Sequence, residues 1–503
     1  MKTANQHIGK GVKVAIIGGG PAGLSAAIEL GRLPFVDWHL YEQKPTISEI
    51  GTGITLQRNT WILLEKLGAS RHLRTSDIFR PADGHDNQYR NGLTGEVVKQ
   101  THPPVITPHQ SPCRVHRGKL QRALLREVDQ DRIRTGEKLV SIEQENDGKL
   151  HLSFASGFAS TVDLLLGADG IRSTVREFAF QNYNISYSGM TAYRAVVRAS
   201  EAEQINGLSK AMIFWYSTKN GWIYTTPLDD NDWEVTCRIR EPDDGDRSSW
   251  GKEVSVKKLI TLFSEYCEPI QQLLSLVTRV NWIFIYEKLP QRSKARVTYS
   301  EKEIQSFKAS FADWPLNRKI RVQDVLEASP NMVGMANLEE GIAKNISWNG
   351  LIVLVGDAWH KFTPNSGLGF NNGIQDAVSL CNQLHALSAS SQLFTSDGSL
   401  NTKALQDAFD GYHLERKRPL QADYARSARA TRLSAWETSN HYILARYILP
   451  LERLQKFLIN RHISPGIASG LVLDYIPATE ALLGKVPWDN PLTIKRDQSK
   501  QSQ

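Results

Sequence analysis

Cysteine is scarce in this chain of 503 residues, and no long apolar run is present. The four cysteines, Cys113, Cys237, Cys267 and Cys381, form no CxxC pair and no metal-ligand spacing. This usage fits a reducing compartment and predicts neither a disulfide framework nor a metal site. No stretch of about 18 apolar residues could span a membrane, and the polar N-terminal residues lack the apolar core of a secretory signal. We therefore predict a cytoplasmic protein.

Extremes of charge are also lacking, because 60 Lys and Arg residues are set against 53 Asp and Glu residues. No basic block interleaved with aromatic residues stands out, so we expect no nucleic-acid partner. The best amphipathic candidate, residues 442–459, is interrupted by Pro450 and by several basic residues. It predicts a helical cap on the main body, and the alternative is a weak peripheral membrane contact through this C-terminal region.

A glycine-rich turn near the N-terminus satisfies the pattern G-x-G-x-x-G through Gly18, Gly20 and Gly23. It follows a short apolar strand pattern and precedes a helical pattern, and the next predicted strand ends on Glu42. Glycines allow the tight turn and a close approach of a pyrophosphate, and an acidic residue about 20 positions on can bind ribose hydroxyls. This context predicts dinucleotide binding rather than a purely structural loop.

Two more apolar segments end in a turn that contains glycine and aspartate. Residues 167–170 (Gly-Ala-Asp-Gly) follow one of them, and residues 356–357 (Gly-Asp) follow the other. Behind the second turn, a glycine-rich stretch leads into a helical pattern near Phe370, whose free amides can face an anion or a polarised ring. Three strand-to-glycine turns aimed at one place indicate a common ligand.

The three turns, in this order and separation, resemble those of the FAD-dependent monooxygenases of the aromatic-hydroxylase superfamily. The stretch GDAWHKFTPNSGLGFNNG at residues 356–373 is similar to that of fungal salicylate-hydroxylase-like and indole-diterpene or meroterpenoid epoxidase-like members. The resemblance covers about residues 10–390 and is looser in the middle of the chain. It implies an α/β fold: a Rossmann-like FAD-binding domain, an inserted mostly antiparallel β-sheet domain that binds substrate, and a C-terminal helical region.

These parts have expected boundaries. The FAD-binding domain would comprise residues 1–185 and 331–390, and residues 186–330 would form the substrate-binding sheet. The helical region would cover residues 391–489, broken at Pro419, and the polar tail at 490–503 is predicted to be disordered.

The resemblance also implies roles for residues in the first part of the chain. Glu42 would bind the adenosine ribose, and Gly53 and Arg117 would contact the cofactor. Asp169, with Gly170, would serve the pyrophosphate side of FAD and also NADPH.

At the reactive end of FAD, Asp357 would hydrogen-bond the ribityl chain. Gly369 and Phe370 would lie near the isoalloxazine, where helix-terminal amides stabilise the negative charge of a reduced ring. His360 and Lys361 would have a structural or cofactor-side role.

The implied reaction is reduction of the flavin by NADPH and transfer of one oxygen atom from O2 to an electron-rich carbon. The acceptor would be a small molecule with a phenol, an indole or an alkene, as in fungal secondary metabolite biosynthesis. There is no second complete Rossmann fingerprint, so NADPH would be a transient co-substrate rather than a held cofactor. The protein would exclude water and orient the substrate.

Two side chains from the sheet are candidates for the catalytic residues. Arg194 stands where related hydroxylases present an arginine to substrate or flavin, and the alternative is a sheet-edge salt bridge. Tyr224 is the candidate for a tyrosine over the flavin, although Thr226 or Tyr216 could hold that position.

Two other functions remain open from the sequence. A flavin-dependent halogenase shares the FAD domain, and residues 222–227 (WIYTTP) resemble its W-x-W-x-I-P segment with two replacements. A non-enzymatic binding protein with a Rossmann-like core would have no need for both of the later glycine and aspartate turns.

Overall fold

The computed structural model describes residues 11–48, 53–81, 87–100, 112–180, 186–187, 191–217, 221–239, 263–277, 339–363, 367–434, 463–477 and 486–490, with isolated positions between 440 and 461. The strands are β1 (Val12–Ile17), β2 (Val36–Glu42), β3 (Gly53–Leu56), β4 (Ile78–Phe79), β5 (Gln88–Asn91), β6 (Val97–Gln100), β7 (Cys113–His116), β8 (Ile133–Thr135), β9 (Leu139–Gln144), β10 (Leu150–Phe154), β11 (Ala159–Val162), β12 (Leu164–Gly167), β13 (Ser186–Tyr187), β14 (Thr191–Arg198), β15 (Ile213–Tyr216), β16 (Gly221–Pro227), β17 (Asp232–Ile239), β18 (Glu339–Ile342), β19 (Ser347–Trp348), β20 (Ile352–Leu354) and β21 (His360–Lys361). The helices are α1 (Pro21–Leu30), α2 (Arg58–Leu67), α3 (Arg117–Leu125), α4 (Thr174–Ala179), α5 (Ala199–Ala202), α6 (Glu268–Ser275), α7 (Leu368–Ala389), α8 (Thr402–Ser434) and α9 (Ser464–Ala468).

A six-stranded sheet in the order β19-β20-β12-β1-β2-β8 forms the first layer, and only β19 runs antiparallel to its neighbour. Its central strands are apolar because both faces of a parallel sheet are buried, as Ile16, Leu165 and Val353 show. The predicted Rossmann-like α/β fold is confirmed. Since β20, β12, β1 and β2 are neighbours, the turns that follow them meet at one edge of the sheet.

The second six-stranded sheet has the order β14-β17-β16-β15-β5-β6 and is antiparallel except between β15 and β5. One face packs on α6 through a separate apolar core that includes Trp215, Ile223, Val235, Ile270 and Leu273. The mostly antiparallel sheet was predicted, but β5 and β6 were not. They come from an earlier part of the chain, and each has only 4 residues, so their sequence carries little strand periodicity.

Smaller sheets complete the described fold. Strands β9, β10 and β11 form the predicted antiparallel meander. Two other three-stranded sheets have the orders β3-β7-β4 and β13-β18-β21. The free thiols of the chain are all buried, with Cys113 and Cys381 in the core around the parallel sheet and Cys237 and Cys267 in the core of the second sheet.

The predicted break at Pro419 is wrong, because α8 continues through this residue. A proline in a helix leaves the carbonyl four positions earlier without its N–H donor. That carbonyl belongs to Glu415, which is exposed, so water can replace the missing donor. The helix also packs on α7 and buries Tyr412, Arg416 and Leu420 on both sides of the proline.

Among the residues that the structure describes, no helix is long and apolar enough to cross a membrane. The predicted cap at 442–459, apart from isolated positions, and the tail after residue 490 lie outside the described part of the chain.

Candidate active site

In the first glycine turn, between β1 and α1, a side chain at Gly18 or Gly23 would overlap the backbone. Gly18 has φ +109°, and a Cβ there would lie 2.4 Å from the carbonyl oxygen of Ala168. A Cβ on Gly23 would lie 2.0 Å from the carbonyl oxygen of Gly18. A Cβ on Gly20, in contrast, would have none of the described atoms within 4 Å, so the turn faces open space there. The first turn of α1 contains no acidic residue and no side-chain cap, which leaves its amides available to an anion.

Glu42 lies at the end of β2, beside the first glycine turn. Its Oε2 accepts a hydrogen bond from the Gly19 amide at 2.7 Å, and its Oε1 accepts one from the Lys44 amide at 2.9 Å. From the other side, Nε2 of Gln121 in α3 donates to the Gly19 carbonyl at 3.0 Å. The predicted ribose ligand and the predicted phosphate loop are therefore adjacent.

Asp169 lies in the second turn, after β12. Its Oδ2 accepts from the Val175 amide at 3.2 Å, whereas its buried Oδ1 has no hydrogen-bond partner among the described residues. Burial raises the pKa of this carboxyl, and its hydrogen bonds to Ser173 and nearby amides only partly oppose the effect. A desolvated carboxyl with one unused oxygen fits a ligand that supplies a donor.

Asp357 lies in the third turn, a 3-10 turn at Gly356–Ala358 that follows β20. Its carboxylate forms an ion pair with Lys361. Partial burial would raise the pKa of Asp357, but Lys361, His360 and Arg117 together hold it below its ordinary value. The positive charge of Arg117, at the first position of α3, therefore acts on Asp357, although the two predicted cofactor residues come from distant parts of the chain.

Helix α7 begins beside this carboxylate. A Cβ on Gly369 would lie 3.7 Å from Oδ1 of Asp357, and Phe370 follows in the same turn. The N-cap residue Gly367 has φ +61°, and this first turn contains no acidic residue and no side-chain cap. The amides of this turn can therefore stabilise negative charge on a bound ring.

Gly53, in β3, lies at the junction between the β3-β7-β4 sheet and the second six-stranded sheet. A Cβ there would lie 2.4 Å from Nη2 of Arg114 and 2.7 Å from Oε2 of Glu234. The Gly53 amide donates to Glu234 Oε2 at 3.1 Å, and Glu234 is also paired with Arg114. Gly53 therefore contacts a buried ion pair that links β7 to β17.

Arg114 and Glu234 were missed in the sequence, although both stand inside apolar strand patterns. Their side chains are 6% and 2% exposed. Arg114 Nη1 donates to Thr55 Oγ1 at 2.7 Å, and Thr236 Oγ1 donates to Glu234 Oε1 at 2.7 Å. A charged residue between large buried apolar neighbours was the signal that could have identified them, since an unpaired charge is rarely buried.

The candidate catalytic residues occupy one row across the second sheet. Thr236 pairs with both Arg194 and Tyr224, and Tyr224 pairs with Phe214. The guanidinium carbon of Arg114 lies 5.4 Å from the centroid of the Tyr224 ring, and the ring of Phe214 is 4.7 Å away. Tyr224 therefore contacts Arg114, and Thr226 is the cross-strand partner of Glu234, so two of the three candidates for this position border the ion pair.

Matches to known proteins agree with this geometry. The profile of a family described as FAD binding domain matches residues 11–270 and 299–409. The chain belongs to the FAD binding domain family. The curated relatives that it matches are FAD-dependent monooxygenases and a salicylate hydroxylase.

Among curated relatives, the FAD-dependent monooxygenase SAT1 of Stachybotrys chartarum is 43% identical over 33% of this chain and 55% of its own length. The FAD-dependent monooxygenase DEP2 of Alternaria brassicicola is 25% identical over 96% of this chain and 83% of its own length. Salicylate hydroxylase of Pseudomonas putida is 24% identical over 86% of this chain and 87% of its own length.

Solved structures show the same fold. HpxO of Klebsiella pneumoniae, complexed with FAD and uric acid, has a TM-score of 0.65 at 19% identity, covering 91% of this chain and 97% of its own. A salicylate hydroxylase substrate complex has a TM-score of 0.61 at 18% identity, covering 92% and 99%. The open space at Gly20 and the unused oxygen of Asp169 fit FAD as the cofactor of this site.

Proposed function

We propose that this chain uses NADPH to add one oxygen atom from O2 to an aromatic, indole or olefinic small molecule in fungal secondary metabolism. The observation that carries the proposal is the meeting of three glycine turns at one edge of the parallel sheet, with Thr55, a hydrogen-bond partner of Arg114, next to Gly367 at the start of α7. The relative named salicylate hydroxylase and the complex of HpxO with uric acid support a small planar substrate.

In this proposal the chain holds FAD along the edge of the parallel sheet. Glu42 binds the ribose, and Asp169 serves the pyrophosphate side. Asp357 binds the ribityl chain, and Arg117 contacts the cofactor nearby. The glycines and the aromatic residue that complete the cofactor site are Gly18, Gly20, Gly23, Gly53, Gly369 and Phe370.

When bound, FAD would supply the redox chemistry with NADPH and O2. The chain's own part is electrostatic and positional. The amides at the start of α7 stabilise negative charge on the ring, and Asp357 fixes the ring's position. Tyr224 and Arg194 orient the substrate, and the Arg114–Glu234 pair keeps Tyr224 in place while excluding water.

The test is a screen of aromatic, indole and prenylated compounds against the purified protein with NADPH and ¹⁸O2. A substrate should stimulate NADPH oxidation, and its product should carry one ¹⁸O atom by mass spectrometry. The same assay with NADH in place of NADPH shows which of the two nucleotides is the reductant.

Two outcomes would overturn the proposal. A colourless protein that cannot take up FAD would remove the cofactor assignment. A chlorinated product formed with chloride and a flavin reductase would instead identify a halogenase.

A further inference from the structure

A buried charge cluster lies directly behind the turn that contains Asp357. It consists of His360, which follows the turn, Asp376 on α7 and Arg416 on α8. The side chains of His360 and Asp376 are 0% exposed, and that of Arg416 is 4% exposed. Burying three ionisable groups in one place is costly unless their hydrogen bonds and charges match, so their geometry is informative.

Asp376 holds both ends of the Asp357 turn. Its Oδ2 accepts from the Gly356 amide at 3.0 Å, just before Asp357, and lies 2.6 Å from Nε2 of His360, just after it. Its Oδ1 accepts from Nε of Arg416 at 2.8 Å. One carboxylate therefore fixes the backbone that presents Asp357, and its second oxygen is held by the C-terminal helix.

The same arginine also reaches the start of α7. Its Nη2 donates to Oδ1 of Asn372 at 2.7 Å. Asn372 in turn donates through Nδ2 to the Leu368 carbonyl at 3.2 Å and to Asp423 Oδ2 at 2.9 Å. Leu368 is the first residue of α7, so this branch anchors the helix terminus that faces the predicted ring.

We propose that Arg416 is a positioning residue for FAD, acting through Asp376 on the Asp357 turn and through Asn372 on the first turn of α7. The match to the FAD binding domain family ends at residue 409, so this support comes from beyond the matched region. The inference rests on the placement of Asp357 in the flavin site under the proposed function.

The test is the affinity of the apoprotein for FAD, measured by flavin fluorescence in a titration that requires no substrate. The variants are R416Q and R416K, and the matched control is R418M, because Arg418 is exposed on the same helix. We expect R416Q to bind FAD roughly tenfold more weakly or worse, since it leaves the Asp376 carboxylate without its cation. R416K should retain an intermediate affinity, and R418M should match the wild type.

Circular dichroism gives the thermal unfolding transition of each apoprotein, and the titrations are run well below all of these transitions. A loss of FAD affinity then reports positioning of the site and not general instability. The double variant R416Q/D376N should lose less FAD affinity than the two single changes predict together, because the unpaired carboxylate of residue 376 is then absent. Should R416Q not fold, R416K carries the test, because its shorter donor cannot hold Asp376 and Asn372 together. A folded R416Q, or in its place R416K, that binds FAD as tightly as R418M would overturn the inference. D357A that leaves FAD affinity unchanged would instead overturn the placement of Asp357.

Discussion

Asp357 is one residue whose charge the structure defines closely. It lies between Lys361, its ion-pair partner, and the start of α7, and the field of Arg117 reaches it. A carboxylate held ionised in this position can accept hydrogen bonds from a ligand hydroxyl without first losing a proton. The site therefore combines a fixed acceptor with the amides of the helix terminus.

Replacing this carboxylate should weaken cofactor retention without unfolding the protein. Asp357→Ala removes the acceptor and the partner of Lys361, and its side chain is 33% exposed, so little packing is lost. We expect a lower ratio of bound flavin absorbance to protein absorbance, with the unfolding transition of the apoprotein close to that of the wild type. Flavin content and turnover equal to the wild type would contradict the cofactor assignment.

Asp376 should confer a pH dependence on stability. Burial favours its neutral form, but His360 and Arg416 hold its pKa below the ordinary value. Because the folded-state pKa is the lower one, ionisation stabilises the fold above about pH 4, and this contribution is lost as the pH falls through the folded-state pKa. Asp376→Asn should therefore lower the free energy of unfolding most near neutral pH.

The measurement for Asp376→Asn is urea unfolding between neutral and acidic pH. The difference in unfolding free energy between this variant and the wild type should become smaller as the pH falls below about 4. Asp147→Asn, in an exposed turn, is the control and should show a small and constant difference. A difference in unfolding free energy that stays the same at all pH values would show that the charge of Asp376 does not stabilise the fold.

The Arg114–Glu234 pair allows a comparison of buried and exposed ion pairs. Arg114→Met leaves Glu234 buried without its cation and should cost about 3–5 kcal/mol of unfolding free energy. Arg71 is 69% exposed in its pair with Glu127, so Arg71→Met should cost about 1 kcal/mol or less. Equal losses in urea unfolding would mean that the junction does not depend on the buried pair.

At the scale of elements, two glycines of the first glycine turn have different roles, one in folding and one in FAD binding. Gly23→Ala would place a methyl group against the Gly18 carbonyl, so we expect a loss of stability as well as of FAD. Gly20→Ala has room in the protein and should fold normally, but its methyl group would occupy the space available to the pyrophosphate. Thermal unfolding of the apoprotein and FAD titration distinguish the two, and a Gly20→Ala variant with normal affinity would place the pyrophosphate elsewhere.

Elements with strong local signals could be predicted from the sequence, and those that depend on tertiary partners could not. Strands β1, β12 and β20 were visible because strands buried on both faces are continuously apolar. Strand β5 pairs with β15, a partner distant in sequence, and β6 joins the sheet only through β5. The continuity of α8 across Pro419 depends on packing against α7, which overrides the local preference.

The same division holds for the candidate site. The glycines and Glu42 could be identified because backbone turns impose a fixed spacing in the sequence. The pairing of Asp376 with Arg416 and that of Arg114 with Glu234 could not, since each joins residues from different elements and no spacing rule connects them. The catalytic roles of Arg194 and Tyr224 stay predictions, although strand register places both residues in one row.

At the scale of the whole molecule, the strand order explains why one chain can bring these residues together. β20 is reached only after the chain has formed the second sheet, yet it pairs with β12, next to β1. The third turn therefore returns to the edge where the first two lie. The Gly53 amide and the Arg114–Glu234 pair tie the β3-β7-β4 sheet to the second sheet, and Nδ2 of Asn371 in α7 donates to the Thr55 carbonyl of β3. The start of α7 and the candidate catalytic row are therefore linked through β3.

The buried thiols give the two cores separate chemical reporters. Burial raises the pKa of Cys113 to about 11 and also raises the pKa values of Cys237, Cys267 and Cys381. Thiols of this kind react with alkylating reagents only when the surrounding structure opens, because the thiolate is the reactive form. Mass spectrometry of labelled peptides would thus time the opening of each core: added FAD should slow labelling of Cys113 and Cys381 more than that of Cys237 and Cys267. Equal protection of all four would mean that the two cores open as one cooperative unit.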